Sequence, residues 1–110
     1  MPFVNPQNTE EFKTEIVSAG DKLAFCQIST SWCGPCQGIK QDMAALAEEF
    51  DAKYKFVYVD CDLCEEIQET FEVTSMPTFL VFKGMGAPVA RYEGALVPKI
   101  REFIEANQDK

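Results

Sequence analysis

Two cysteines at C-x-x-C spacing, in Trp32-Cys33-Gly34-Pro35-Cys36, stand where a strand-like run gives way to a helix-like one. That junction limits what this chain can fold into more than any other stretch. Upstream, Leu23-Ala24-Phe25-Cys26-Gln27-Ile28 is a short, mostly apolar run, the pattern of a buried strand. Downstream, Ile39, Met43, Leu46, Ala47 and Phe50 recur at offsets of four, three, one and three, which draws one apolar stripe on a helix from about 35 to 50. Lys40, Gln41, Glu48 and Glu49 fall largely off that stripe. Pro35 suits a first helical turn, where its missing N–H costs nothing, and Gly34 is expected to let the turn be tight.

The chemistry of that placement follows from the thiolate, which is the nucleophile in disulfide exchange. A helix N-terminus offers unpaired N–H groups and partial positive charge, so Cys33 is expected to ionise more easily than a free thiol. Cys33 lies before the helix and is expected to be the more exposed of the two, with Cys36 shielded in the first turn. A zinc half-site or two ordinary buried cysteines are the other readings of the pair. The chain has no histidine, which removes a Cys–His dyad as the activating device.

Five cysteines form an odd count, and without a secretory signal they read as thiols and not as a structural disulfide framework. Met1-Pro2-Phe3-Val4-Asn5-Pro6 lacks the basic and apolar regions of a leader, and no apolar stretch approaches membrane-spanning length, so the cytoplasm is the expected setting. Ten basic against eighteen acidic residues give a formal charge of −8, which argues against nucleic acid or an anionic membrane as a partner. With 46% apolar residues over 110 positions, residues 1–110 are expected to form one domain with one core.

The remaining elements read off in order. Phe3-Val4 is a short edge strand. Asn8 is an N-cap with Glu11 three residues on, opening a helix whose stripe is Phe12, Ile16 and Val17 and whose stop is Gly20. After the strand at 23–30 and the helix at 35–50, Lys55 to Asp60 is rich in β-formers. Asp62 is expected to cap a short helix burying Ile67 and Phe71. Thr78 to Lys83 is a strand ended by Gly84-Met85-Gly86, and Val89 to Tyr92 returns as a hairpin arm. Pro98 opens a last helix with Ile100, Phe103 and Ile104 inward. The order β-α-β-α-β-α-β-β-α calls for parallel pairing across the βαβ crossovers and an antiparallel hairpin at the end.

Two separate stretches now carry a resemblance. W-C-G-P-C between a buried strand and a long amphipathic helix resembles the active site of the thioredoxin family. Some forty residues on, Ser75-Met76-Pro77-Thr78-Phe79-Leu80-Val81-Phe82-Lys83 resembles that family's second signature, a proline followed by threonine and a strand. The resemblance runs over nearly the whole chain and implies an α/β thioredoxin fold, a central mixed five-stranded sheet flanked by four α-helices. It implies a protein-disulfide reductase in which Cys33 attacks and Cys36 resolves, through a redox-active Cys33–Cys36 disulfide with no bound cofactor and no metal. It also implies recharging by an NADPH-dependent reductase, disulfide-containing protein substrates such as peroxiredoxins, and a monomer.

The same resemblance makes Met76-Pro77 a cis peptide facing the disulfide, and makes Trp32, Gly34, Pro35, Met76, Pro77, Gly94 and Ala95 an apolar rim that receives substrate. For Trp32 the alternative is plain core packing. One residue departs from the pattern. Six positions before Cys33, where most members have a buried aspartate, this chain has Gln27, and the lysine of bacterial members has no match, since Tyr58 occupies that region. A glutamine cannot titrate, so either a slower or differently tuned reductase is expected, or a water or another group serves instead and the change is silent. The departure also motivates a specialised relative with a dedicated donor or client, and a redox-regulated binding module on the same scaffold is the rival from another class. Cys61 and Cys64 form a second C-x-x-C, separated from the first by 24 residues against about 15–20 in zinc ribbons. They read as ordinary thiols or, because some animal members carry an extra cysteine here, as a regulatory site for oxidation, glutathionylation or dimer formation. Cys26 reads as a small buried hydrophobe.

Overall fold

A computed structural model describes residues 3–84 and 86–110. Met1 and Pro2 of the leader reading, and Met85 of the hairpin loop, lie outside the described residues. The elements run β1 (Phe3–Val4), α1 (Thr9–Val17), β2 (Leu23–Ser29), α2 (Gly34–Gly38), α3 (Lys40–Glu49), β3 (Tyr54–Asp60), α4 (Glu65–Thr70), β4 (Thr78–Phe82), β5 (Ala90–Glu93) and α5 (Val97–Asn107). The strands form one sheet in the order β1-β3-β2-β4-β5. β1 and β2 both pair parallel with β3, while β4 runs antiparallel to β2 and β5 antiparallel to β4.

β2 is the middle strand and is buried at every position, which is why its sequence shows no polar alternation. Its side chains still alternate between faces. Leu23 and Phe25 join Met43, Leu46, Tyr54, Phe79, Ile100 and Ile104 on the side covered by α3 and α5. Ala24, Cys26 and Ile28 join Phe12, Ile16, Ile67 and Leu80 on the side covered by α1 and α4. Phe25 is the centre of the first layer, its ring 5.1 Å from that of Phe56, 5.4 Å from Phe79 and 5.8 Å from Tyr54.

Local chemistry accounts for most boundaries. The Asn8 side-chain oxygen accepts the Glu11 backbone N–H at 2.8 Å, and the Glu11 carboxylate accepts the Gln7 N–H at 2.9 Å, so both orphan donors are satisfied at the start of α1. Gly20 follows that helix with φ +63°, a left-handed turn suited to glycine.

Three sequence expectations change. Val17 is 61% exposed and does not belong to the buried stripe of α1. It lies five residues from Phe12, roughly 140° round the helix, whereas Ile16 lies only about 40° away. The helix expected over 35–50 is two helices, because Ile39 leaves helical geometry (φ −102°, ψ 5°) directly after Gly38, which makes five helical segments where four were expected. Gly38 holds helical backbone less well than alanine by about 1 kcal/mol, and the break lets the Ile39 side chain turn into the core. Finally, Asp62 does not cap α4, whose N-cap is Cys64 with no side-chain bond. Asp62 is engaged elsewhere, as described below.

Because Phe25 is fully buried amid four aromatic rings, Phe25→Ala is expected to lower the unfolding free energy by about 3–5 kcal/mol in urea denaturation. A loss below about 1 kcal/mol would show that this ring is not the centre of the layer.

Candidate active site

β2 ends at Ser29, and the turn that follows delivers Cys33 to the start of α2. The Cys33 N–H donates to the Thr30 carbonyl at 3.3 Å, which closes the turn. Cys33 is the N-cap of α2, and its Sγ accepts the Cys36 backbone N–H at 3.2 Å. Pro35 sits in the first turn, as its fixed φ favours. Gly34 is not required by the turn. Its φ is not left-handed, and an added Cβ would meet nothing within 4 Å, so the space above it is open. The two cysteines are joined as a disulfide with Cα atoms 5.3 Å apart. Cys33 is 8% exposed and Cys36 2%, so Cys33 is the more accessible by a small margin.

The loop from Thr74 to Pro77 approaches from across the sheet. Met76-Pro77 is cis, and the Met76 carbonyl oxygen lies 3.7 Å from the Cys33 sulfur. The Pro77 carbonyl accepts the Gly94 N–H at 3.1 Å, tying Gly94 and Ala95 to the back of that loop. Trp32 is 72% exposed and therefore does not pack in the core. Its indole N–H donates to the Asp62 carboxylate at 3.1 Å, which is where Asp62 is engaged. Between these parts runs a groove of about 400 Å³ lined by Trp32, Cys33, Pro35, Gln68, Ser75 and Met76 among others. Gln68, Ser75 and the Asp62 anchor were not anticipated as site residues. Ser75 stood inside the second signature, but nothing local in the sequence distinguishes Gln68 from any polar helix residue.

Gln27 is 2% exposed on β2, directly opposite Tyr58 of β3 in the register. Its side-chain amide makes no hydrogen bond among the described residues and lines a cavity of about 510 Å³ shared with Gln37, Lys40, Tyr58 and Asp60. Ser29, two residues on and so on the same sheet face, has a buried hydroxyl that also lacks a partner among the described residues. At position 27 of β2 the side chain is a neutral amide, while the Asp60 carboxylate and the Lys40 ammonium line the same cavity.

Cys61 and Cys64 are buried, and Cys26 is wholly so. Burial, followed by the nearby Asp60 carboxylate, pushes the Cys61 thiol from 9.0 up to about 11, and the same two causes raise Cys64. Burial alone raises Cys26. Among the described residues no three His, Cys, Asp or Glu side chains form a group that could hold a metal ion, and the two C-x-x-C pairs lie on different elements.

A cysteine pair joined as a disulfide at a helix start, with one sulfur slightly less covered than the other, beside an open groove, suits dithiol–disulfide exchange. Comparison with known proteins agrees. The thioredoxin family model matches residues 3–106. A thioredoxin of Echinococcus granulosus is 41% identical over 93 residues, covering 84% of this chain and 85% of that protein. A thioredoxin of Oryctolagus cuniculus is 40% identical over 98 residues, covering 89% and 91%. Among solved structures, the germline-specific thioredoxin Deadhead of Drosophila melanogaster superposes with a TM-score of 0.87 at 27% identity, covering 94% of this chain and 98% of that one. The chain belongs to the thioredoxin family and is a disulfide oxidoreductase whose redox group is a cysteine pair and not a bound cofactor. Disulfide-bearing proteins as substrates, and a reductase as electron source, come with that family in general.

A thiol raised from 9.0 to about 11 carries roughly a hundredfold less thiolate at pH 8. In the reduced, folded protein, iodoacetamide at pH 8 is expected to label Cys33 within minutes and to leave Cys26, Cys61 and Cys64 unlabelled until denaturant is added, as peptide mapping would show. Labelling of Cys61 at the rate of Cys33 would contradict this. The raised value also means that the folded state holds this proton more tightly than the unfolded chain. Its contribution to stability is complete below about pH 9 and is lost as pH rises from 9 toward 11.

Proposed function

We propose that this protein reduces disulfides in other proteins, with Cys33 as the attacking thiol and Cys36 as the resolving one. The observation that carries the assignment is the Cys36 N–H donating to the Cys33 sulfur at the start of α2. A backbone donor there favours negative charge on that sulfur over the neutral thiol. In the first step the Cys33 thiolate forms a bond to one sulfur of the substrate disulfide, and the other sulfur leaves as a thiolate that takes up a proton. In the second step Cys36, having lost its proton, attacks the Cys33 sulfur and expels the remaining substrate thiolate. Two electrons have passed to the substrate, and Cys33–Cys36 is left oxidised.

Each turnover therefore needs an external two-electron donor, a role we assign to an NADPH-dependent reductase, with peroxiredoxins among the clients. Both assignments are supported by the family resemblance of the whole chain. A monomer in the reducing cytoplasm is likewise assigned on the family resemblance, and the burial of Cys26, Cys61 and Cys64 removes one covalent route to a dimer. Trp32, Gly34, Pro35, Met76 and Pro77 are proposed to receive an extended substrate segment along the groove, with Gly94 and Ala95 supporting the cis-proline loop.

In dithiothreitol-driven reduction of insulin, the intact protein is expected to accelerate precipitation of the released chain, and Cys33→Ser to fall to the rate of dithiothreitol alone. Full activity in Cys33→Ser would overturn the assignment and favour a binding module that uses the fold as a scaffold. Gln27 is expected to limit the second step, because a neutral amide cannot take the proton from Cys36. General acid–base assistance is worth about 10²–10⁴ in rate, so Gln27→Asp is expected to speed resolution at least about tenfold and to add a titration to its pH profile. Unchanged rate and profile would show that water or another group already serves.

A further inference from the structure

Charge is distributed unevenly over this molecule, and the pattern is aligned with the groove. Residues 56–82, which run from within β3 through α4 and the cis-proline loop to the end of β4, carry Asp60, Asp62, Glu65, Glu66, Glu69 and Glu72 and no lysine or arginine. Residues 29–39, which form the opposite wall and hold the cysteine pair, carry no charge at all. Four of the ten basic residues, Lys22, Lys53, Lys83 and Lys110, gather instead around one pocket at the other end of the strands, beside Leu23 at the start of β2, with Asp21 and Asp109 among them. Six residue steps of β2 separate that end from Ser29, about 20 Å at 3.3 Å per residue. That distance is more than two screening lengths at physiological salt, so the basic end does not offset the acidic wall.

The carboxylates are also placed to be felt inside the groove. Asp62 holds the indole of Trp32, which lines it. On α4, Ile67 faces the core while Gln68 lines the groove. Glu65, three residues before Gln68, lies about 60° round the helix from it and Glu69, one after, about 100°, so both carboxylates stand on the rim beside the groove without lining it. Both glutamates are exposed. At the far end of the groove, Ser75 donates to Glu93, whose other oxygen is engaged by Arg91, and Arg91 also donates to the Phe71 and Glu72 carbonyls at the end of α4, so the free negative charge lies toward the start of α4, at Asp62, Glu65 and Glu69.

We infer that the groove beside Cys33–Cys36 prefers disulfide-bearing polypeptide segments that carry lysine or arginine on the side lying along α4, with Asp62, Glu65 and Glu69 as the recognising carboxylates. This rests on the proposed disulfide reduction and specifies its substrate class. Apolar contact with Trp32 and the loop would seat the segment, and the acidic wall would set its orientation and raise its association rate.

The test uses the full-length reduced protein and three disulfide-linked peptides of equal length, flanked by lysine, glycine or glutamate. Each second-order rate is divided by that with dithiothreitol, which removes the effect of flanking charge on the peptide's own thiols. At low salt the lysine peptide is expected to react roughly tenfold faster than the glutamate peptide, the ratio falling toward one in molar salt. The Glu65→Gln, Glu69→Gln double variant is expected to narrow the low-salt ratio to about threefold or less. Equal rates for the lysine and glutamate peptides, with the glycine peptide reduced normally, would overturn the inference and leave the reductase reading intact. An unchanged ratio in the double variant would also overturn it. No reduction of any peptide would overturn the reading on which it rests.

Discussion

Strand β2 is buried on both faces and paired along both edges, and the reacting groups hang from its end. Its register with β3 runs from Leu23 opposite Tyr54 to Ser29 opposite Asp60, and with β4 from Ala24 opposite Phe82 to Ile28 opposite Thr78. Two ladders and two apolar layers hold that strand in place, so the turn after Ser29 begins from a fixed point. Cys33 lies four residues beyond it. The same register brings Thr78, and with it the cis Met76-Pro77 peptide, to the same end of the sheet. Two loops distant in sequence thus meet because both are continuations of paired strands.

What meets there is arranged around a sulfur. The Cys36 N–H points at Cys33, and the Met76 carbonyl lies on its other side. The N–H favours negative charge on Cys33, and Cys36 is the more deeply buried of the two. Buried thiols elsewhere illustrate the contrast. Cys61 and Cys64 have carboxylates for neighbours and are pushed toward the neutral form. The two C-x-x-C pairs of this chain thus differ in their neighbours and not in their spacing.

Much of this was legible before any coordinates. A six-residue, mostly apolar run, a proline in a first helical turn and an apolar stripe are local signals, and local packing respects them. The cis peptide at Met76-Pro77 was implied by the family resemblance alone, since proline in isolation says nothing of its isomer. The misses share a cause. Val17, Ile39 and Asp62 were each assigned from their nearest neighbours in sequence, and each is decided by something farther away. Val17 lies off the face that meets the sheet, Ile39 breaks the helix as its side chain enters the core, and Asp62 prefers the indole of Trp32, thirty residues distant, to the end of its own helix. Gln68 could not be placed in the groove because a short helix with one buried isoleucine gives little indication of which polar face looks where. Gln27 was recognised as a departure, but the cavity behind it is visible only in three dimensions.

On the proposed mechanism the start of α2 makes Cys33 attack and keeps Cys36 in reserve, and trapping the mixed disulfide tests this most directly. Reduced Cys36→Ser, mixed with an excess of a disulfide-linked peptide and mapped by mass spectrometry, should carry the peptide on Cys33 and nowhere else, and Cys33→Ser should carry almost none in the same time. A peptide found on Cys36 in the Cys33→Ser protein at a comparable rate, or on Cys61 in either, would contradict the account.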